Sequence, residues 1–226
     1  MLATFAIEIG FAFYVLWRYK MTVITRLVVA ILASLAVFQA AEYMVCGGMG
    51  LQAGMWSKLS YAAITLLPPL GIHLVLKIAN KSNKYLITAA YATASAFVGY
   101  FVFATGAISG QTCYANYAVF DTQLASSLVY GLYYYGWLFV GVGLAWHYSL
   151  TSKKHRGALR ALALGYLAFI LPTTTINLID PSTMAAIPSI MCGFAVILAF
   201  LLVGRVAPAT IALKSTNQSL RQFFRI

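Results

Sequence analysis

Apolar residues run along this chain in long stretches broken by short polar connections, and seven such stretches can be read. They predict helices from about Met1 to Trp17, Thr22 to Cys46, Ser57 to Ala79, Tyr85 to Ala107, Leu124 to His147, Gly157 to Leu178 and Met184 to Val206. About 20 apolar residues cross the hydrocarbon core of a bilayer. Only helices or closed barrels satisfy their backbone in lipid. The period-two alternation of a barrel strand is missing. The expected fold is all-α: a polytopic membrane protein whose residues 1–206 form a seven-transmembrane helix bundle, followed by a basic tail, 207–226.

Composition agrees with this pattern. Of the 226 residues, 62% are hydrophobic and 8% charged, against about 25% charged in a soluble domain. The bilayer is therefore the first expected partner, and no room is left for a separate soluble domain. The formal charge of +11 does not point to nucleic acid, because the positive residues sit in short clusters between apolar spans. Such clusters set topology. Fourteen of the fifteen lysines and arginines flank the first, third and fifth connections or follow the last helix, and Lys58 is the exception. That side should be cytosolic, which places the N-terminus outside. All four acids (Glu8, Glu42, Asp121 and Asp180) fall on the outer side. The charge of Arg18 and Lys20 follows helix one rather than preceding it, so helix one reads as a retained span and not as a signal peptide. A prokaryotic plasma membrane is the expected location.

The candidate chemistry lies in the outer halves of the helices. Glu8 falls ~10 Å below the outer end of helix one. It reads either as a ligand or proton site or as a carboxyl reached by water near the N-terminus. Gln39, Glu42, Tyr43 and Cys46 share one face of helix two, at i, i+3, i+4 and i+7. With Glu8 they suggest an outward-facing polar pocket; the rival is an interhelical packing set. Asn177 and Asp180 extend the candidate site from the polar end of helix six. Pro68 and Pro69 should kink helix three, and Pro172 should kink helix six, because proline removes a helix hydrogen bond. Tyr130, Tyr133, Tyr134, Tyr135 and Trp137 cover more than one face of helix five, so some point inward, either to wall a ligand site or to pack.

Cys46 and Cys113 both fall on the outer side, where they form a disulfide or stay as two thiols. Cys192 reads as an apolar filler. His73 and His147 have no cysteine or carboxylate near them in the pattern, so no metal or other cofactor is expected. Helix seven lacks the lysine that a retinal Schiff base needs. Gly47, Gly48 and Gly50 form an outer turn rather than a phosphate loop. No catalytic set can be placed on one rim, and an enzyme is not expected. In the tail, Leu220, Phe223 and Phe224 at helical spacing, with Arg221 and Arg225, suggest either a helix on the inner leaflet or a disordered basic segment.

Glu42, Trp56, Lys58, Tyr61, Pro68 and Pro69, within a stretch reaching about Lys77, form a pattern: an acid ends one helix, an aromatic and a basic residue open the next, and a proline pair follows. This stretch, about a sixth of the chain, resembles part of the seven-helix N-terminal sensor regions of bacterial histidine kinases. The resemblance implies a sensor. Only a short tail follows Arg205 here, so the implied protein is a free-standing module that signals through a membrane or cytosolic partner. The leading expectation is a sensor or ligand-binding protein for a small molecule. A small secondary transporter of protons, cations or a polar solute comes second, because the inner halves of the helices offer few polar groups. A structural subunit of a membrane complex is third.

Overall fold

A computed structural model describes residues 1–47, 52–114, 117–180, 183 and 186–214. In chain order the elements are α1 (Leu2–Arg18), α2 (Val23–Gly47), α3 (Ala53–Thr65), α4 (Leu67–Ile78), α5 (Lys84–Phe103), β1 (Ile108–Cys113), β2 (Ala118–Thr122), α6 (Leu124–Thr151), α7 (Arg156–Ile179), α8 (Ile187–Phe194), α9 (Val196–Leu201), a π-helical turn (Leu202–Val206) and α10 (Ala207–Thr210). Six helical stretches among the described residues are long and apolar enough to cross a membrane: α2, α3 with α4, α5, α6, α7, and α8 through α10. The 17 residues of α1 rise about 26 Å, at the short end of the crossing range.

The outward faces suit lipid rather than water. Leu164, Leu171 and Leu178 form an exposed stripe on α7, and Leu128, Leu132, Phe139, Trp146 and Leu150 lie exposed on α6. Water would penalise so much large apolar surface. The interior is centred on α2, which packs against α1, α3 and α4, and on α7, which packs against α6, α8 and α9. Tyr166 of α7 reaches between α4 and α6. A Cβ on Gly71 would meet its hydroxyl at 1.8 Å, and one on Gly141 would touch its ring at 3.9 Å.

The third predicted span is broken where its proline pair demands. Pro69 has no N–H to give the carbonyl of Thr65, four residues back. The Tyr133 hydroxyl of α6 donates to that carbonyl at 2.7 Å. Thr65 Oγ1 bonds the Tyr61 carbonyl at 2.6 Å and lies 3.0 Å from the Tyr130 hydroxyl. The inward tyrosines of α6 thus repair a helix break, and Tyr130 packs with Tyr61, Phe97 and Phe101. Replacing Tyr133→Phe should cost about 1–2 kcal/mol, because a buried carbonyl loses its donor. Thermal unfolding in detergent measures it; a loss no larger than that of the exposed Tyr85→Phe would refute the repair.

By contrast, α7 runs through Pro172 without interruption, with Thr173 and Thr174 bonding the carbonyls one turn back at 2.8 Å each. The last span carries an irregularity that the sequence reading did not anticipate: the π-helical turn Leu202–Val206 stands just before Pro208, within α10. A π-turn shifts the hydrogen-bond pattern where proline has no donor to offer.

The expectation of an all-α chain needs one correction. Helix four ends at Phe103 instead of about Ala107, and an antiparallel hairpin follows, with Cys113 opposite Ala118, Gln111 opposite Phe120 and an irregularity at Ile108/Gly110. Its strands of six and five residues are too short to register beside apolar runs four times their length. Alternation is present in β2, where Ala118 and Phe120 are buried and Asp121 is exposed. Gly48, Gly50, the Met184 start of helix seven and the whole candidate tail helix, with Leu220, Arg221, Phe223, Phe224 and Arg225, lie outside the described residues.

The first connection and the chain beyond α10 meet. Lys20 N–H donates to the Ala212 carbonyl at 2.9 Å, Lys214 N–H donates to the Arg18 carbonyl at 3.0 Å, and Lys214 Nζ reaches the Leu16 carbonyl at 2.7 Å.

Candidate functional site

The hairpin is fastened to α2 by one helical turn. Glu42 and Cys46 stand four residues apart, so they lie on the same face. Cys46 is joined to Cys113 at the end of β1, with Cα atoms 5.7 Å apart. Of the two sequence readings, the structure therefore takes the disulfide. Ala118 at the start of β2 lies directly opposite Cys113, and its N–H donates to Glu42 Oε1 at 3.3 Å. One turn of helix thus grips both strands at their shared end.

Ala118 is free for this because of the ladder's alternation. Tyr114 N–H donates to the Tyr117 carbonyl at 2.9 Å. The next pair, Cys113 with Ala118, is then a non-bonded pair whose backbone groups face away from each other. Glu42 takes the outward N–H of Ala118, and the Ser189 hydroxyl of α8 donates to its carbonyl at 2.5 Å. The Ser189 hydroxyl also bears on the Glu42 carboxyl electrostatically.

Ala118 thus links Glu42 to Ser189 through its own N–H and carbonyl. Glu42→Gln keeps an acceptor for the Ala118 N–H and should change stability by less than about 1 kcal/mol, whereas Glu42→Leu orphans that N–H and should cost about 1–2 kcal/mol. Unfolding of the two variants side by side measures this. Equal losses would mean that the bond from Ala118 to Glu42 does not hold the strand.

Glu8 has no such duty. Its side chain is fully buried, at 0% exposure, and neither carboxyl oxygen has a hydrogen-bond partner among the described residues. Its helix, α1, packs against α2 and α9, where Phe11 meets Phe200 edge to face at 4.9 Å. Cys192 of α8, itself buried, is within electrostatic reach of both Glu8 and Glu42. Both acids are thus within electrostatic range of that one buried thiol, which makes Glu8, Glu42, Ser189 and Cys192 a candidate polar locus inside the bundle. Gln39 is buried on the Glu42 face of α2, and Tyr43 is half-buried one residue beyond Glu42.

Asn177 and Asp180 stand at the end of α7. Asn177 Nδ2 donates to the Thr173 carbonyl at 3.1 Å, and its Oδ1 lies 2.9 Å from the Thr183 hydroxyl. Asp180 is exposed, and its carbonyl lies 2.7 Å from the same hydroxyl, which shares its one hydrogen between the two. These bonds organise the end of α7. Ser189 and the Ala118 backbone are the members of the locus that sequence reasoning missed. A serine in an apolar run is a weak signal, and the backbone polarity of Ala118 appears only once the strand pairing is known.

Lys58 Nζ donates to the Val102 carbonyl at 2.9 Å, so this cation closes the C-terminal end of α5, where a positive charge is favoured. His73 Nδ1 lies 3.3 Å from the Tyr91 hydroxyl. Among the described residues no three His, Cys, Asp or Glu side chains gather in a way that could hold a metal ion. Comparison with protein-family models, with curated proteins and with solved structures gives no match to this chain.

Proposed function

We propose that the chain is a seven-helix membrane sensor or ligand-binding protein, with its N-terminus outside and its C-terminus in the cytosol. Seven crossings require α1 to span with the six longer stretches. The bonds between Lys20 and Ala212 and between Lys214 and Arg18 agree with six crossings after α1, which return the chain to the side where α1 ends, and α1 is about long enough to be the seventh. The lysine and arginine bias supplies the orientation.

The observation that carries the sensor reading is Glu8. A buried carboxyl with no partner is costly to keep, and a carboxyl inside a membrane span is a functional site by default. It shares its locus with Glu42, which anchors the disulfide-tethered hairpin. A small polar ligand bound at Glu8 would supply the missing hydrogen bonds and act on the Glu42–Ala118–Ser189 link beside it. The hairpin and α8 would move together, and the broken α3–α4 span gives the change a route inward. The resemblance of Glu42, Trp56, Lys58, Tyr61, Pro68 and Pro69 to kinase sensor regions points the same way, with a separate signalling partner.

The same carboxyl would serve a secondary transporter as a coupling group. Against this, α4 carries an apolar run toward the inner side, with Ile72, Leu74, Val75, Leu76 and Ile78 all buried.

The test is purification from the native membrane in mild detergent, followed by native mass spectrometry of wild type, Glu8→Leu and Glu42→Gln. A small molecule retained by wild type and lost from Glu8→Leu, with that variant at least as stable as wild type, is the expected result. A stoichiometric set of other membrane subunits, or a Glu8→Leu variant that loses stability and binds as before, would refute the sensor. Substrate uptake into liposomes that depends on Glu8 would establish the transporter instead.

A further inference from the structure

The basic rim at the opposite end of the bundle holds a cavity of about 470 Å³. Its walls come from distant parts of the chain. Lys77 and Asn80 end the third span, Ser152, Lys154 and His155 form the turn between α6 and α7, and Thr210 closes the last helix. Two lysines, a histidine, an asparagine and a serine therefore line one space, together with Ile24, Ile78 and Ala79. A second depression of about 430 Å³ on the same connection is lined by Lys81 and Lys84.

None of the residues lining either depression is acidic. The chain has four acids. Glu8 and Glu42 lie in the locus described above, Asp121 is in the hairpin, and Asp180 caps the far end of α7 from His155. One further feature points to an anion. His155 is the N-cap of the 24-residue α7, and no side chain caps that end, so the first N–H groups of a long helix lack side-chain partners beside the cavity wall. Lysines, hydroxyls and an uncapped helix start make a phosphate site.

We propose that this cavity binds a phosphate-bearing group. It comes either from an anionic phospholipid of the inner leaflet or from a soluble phosphate compound. Thr210 places the bound group against the end of the last helix, so occupancy ties the third and fifth connections to the start of the tail. The inference does not depend on what the outer locus binds.

The experiment uses the full chain in nanodiscs of phosphatidylcholine, with and without phosphatidylglycerol, and titrates inorganic phosphate into the neutral discs. Native mass spectrometry counts retained phosphatidylglycerol, and calorimetry reads phosphate. Paired Lys77→Gln and Lys154→Gln should weaken binding roughly thirtyfold. Paired Arg18→Gln and Lys20→Gln, which remove the same charge elsewhere on the rim, should leave it within about twofold. Ser152→Asp keeps both lysines, supplies an internal counter-ion and should also abolish binding. Retention of phosphatidylglycerol alone identifies the lipid as the source, and a phosphate response in neutral discs identifies the soluble compound; either supports the site. Equal losses in the two paired variants, or no binding of either probe by wild type, would overturn it, leaving only diffuse surface charge.

Discussion

Removing the Cys46–Cys113 disulfide, by Cys46→Ser with Cys113→Ser, should destabilise the protein by about 2–4 kcal/mol. The bond closes a loop of 67 residues, and the chain-entropy cost of leaving such a loop open is large. The effect should concentrate at the outer face. Without the covalent tie, the strand end keeps the bonds of Ala118 to Glu42 at 3.3 Å and to Ser189 at 2.5 Å, and α5 loses the anchor that fixes where its following hairpin lies. Unfolding in detergent, with and without reductant, measures the loss. Reductant should lower the midpoint of wild type and leave the double variant unchanged. Cys192→Ser is the control, since that thiol is free. Labelling of Cys46 and Cys113 by maleimide in intact native membranes, without prior reduction, would show that the bond is not made there.

Gly71→Ala should cost about 3 kcal/mol or more, at the upper end of what overpacking a core produces. The added Cβ would fall 1.8 Å from the Tyr166 hydroxyl and 2.9 Å from its ring carbon. Gly71 is buried in α4, and Tyr166 is fixed between α4 and α6 with 4% exposure, so the ring has little room to retreat. Glycine ordinarily weakens a helix relative to alanine, which makes the sign diagnostic: propensity predicts a gain and the contact predicts a loss. Tyr166→Phe removes the nearer atom and should recover part of the loss. A double-mutant cycle with Gly71→Ala and Tyr166→Phe should give a coupling of at least about 1 kcal/mol. Additive effects would mean that Tyr166 is not the obstacle.

The two predictions stand on different footing in the sequence. Cys46 and Cys113 can be read as a pair from topology, because both fall on one side of the membrane. Nothing near Gly71 announces Tyr166, 95 positions further on. The same contrast runs through the candidate site. Glu42 and Cys46 are legible as neighbours because a helix repeats every 3.6 residues. Their partners Ala118 and Cys113 face each other only through strand pairing across a turn. The partners of Asn177 and Asp180 are illegible for a related reason. Being at the outer end of a helix gives depth along the membrane normal, but says nothing about which neighbour the side chain meets. Serving as turn-formers, they bond Thr183 and their own helix.

Hydropathy and charge by themselves determined the helices, the broken third span and the contrast between an acidic and a basic side. These are properties of the chain against its solvent, since each span must satisfy its own backbone in lipid and each proline lacks its own donor. Tertiary structure alone decided that Tyr133 caps the Thr65 carbonyl, that Ala118 links Glu42 to Ser189 while Glu8 has no hydrogen-bond partner among the described residues, and that lysines from separate connections share one cavity. Those are properties of side chains meeting across helices. They depend on rotation and crossing of the helices, which a pattern of apolar residues leaves open because lipid accepts any apolar face equally.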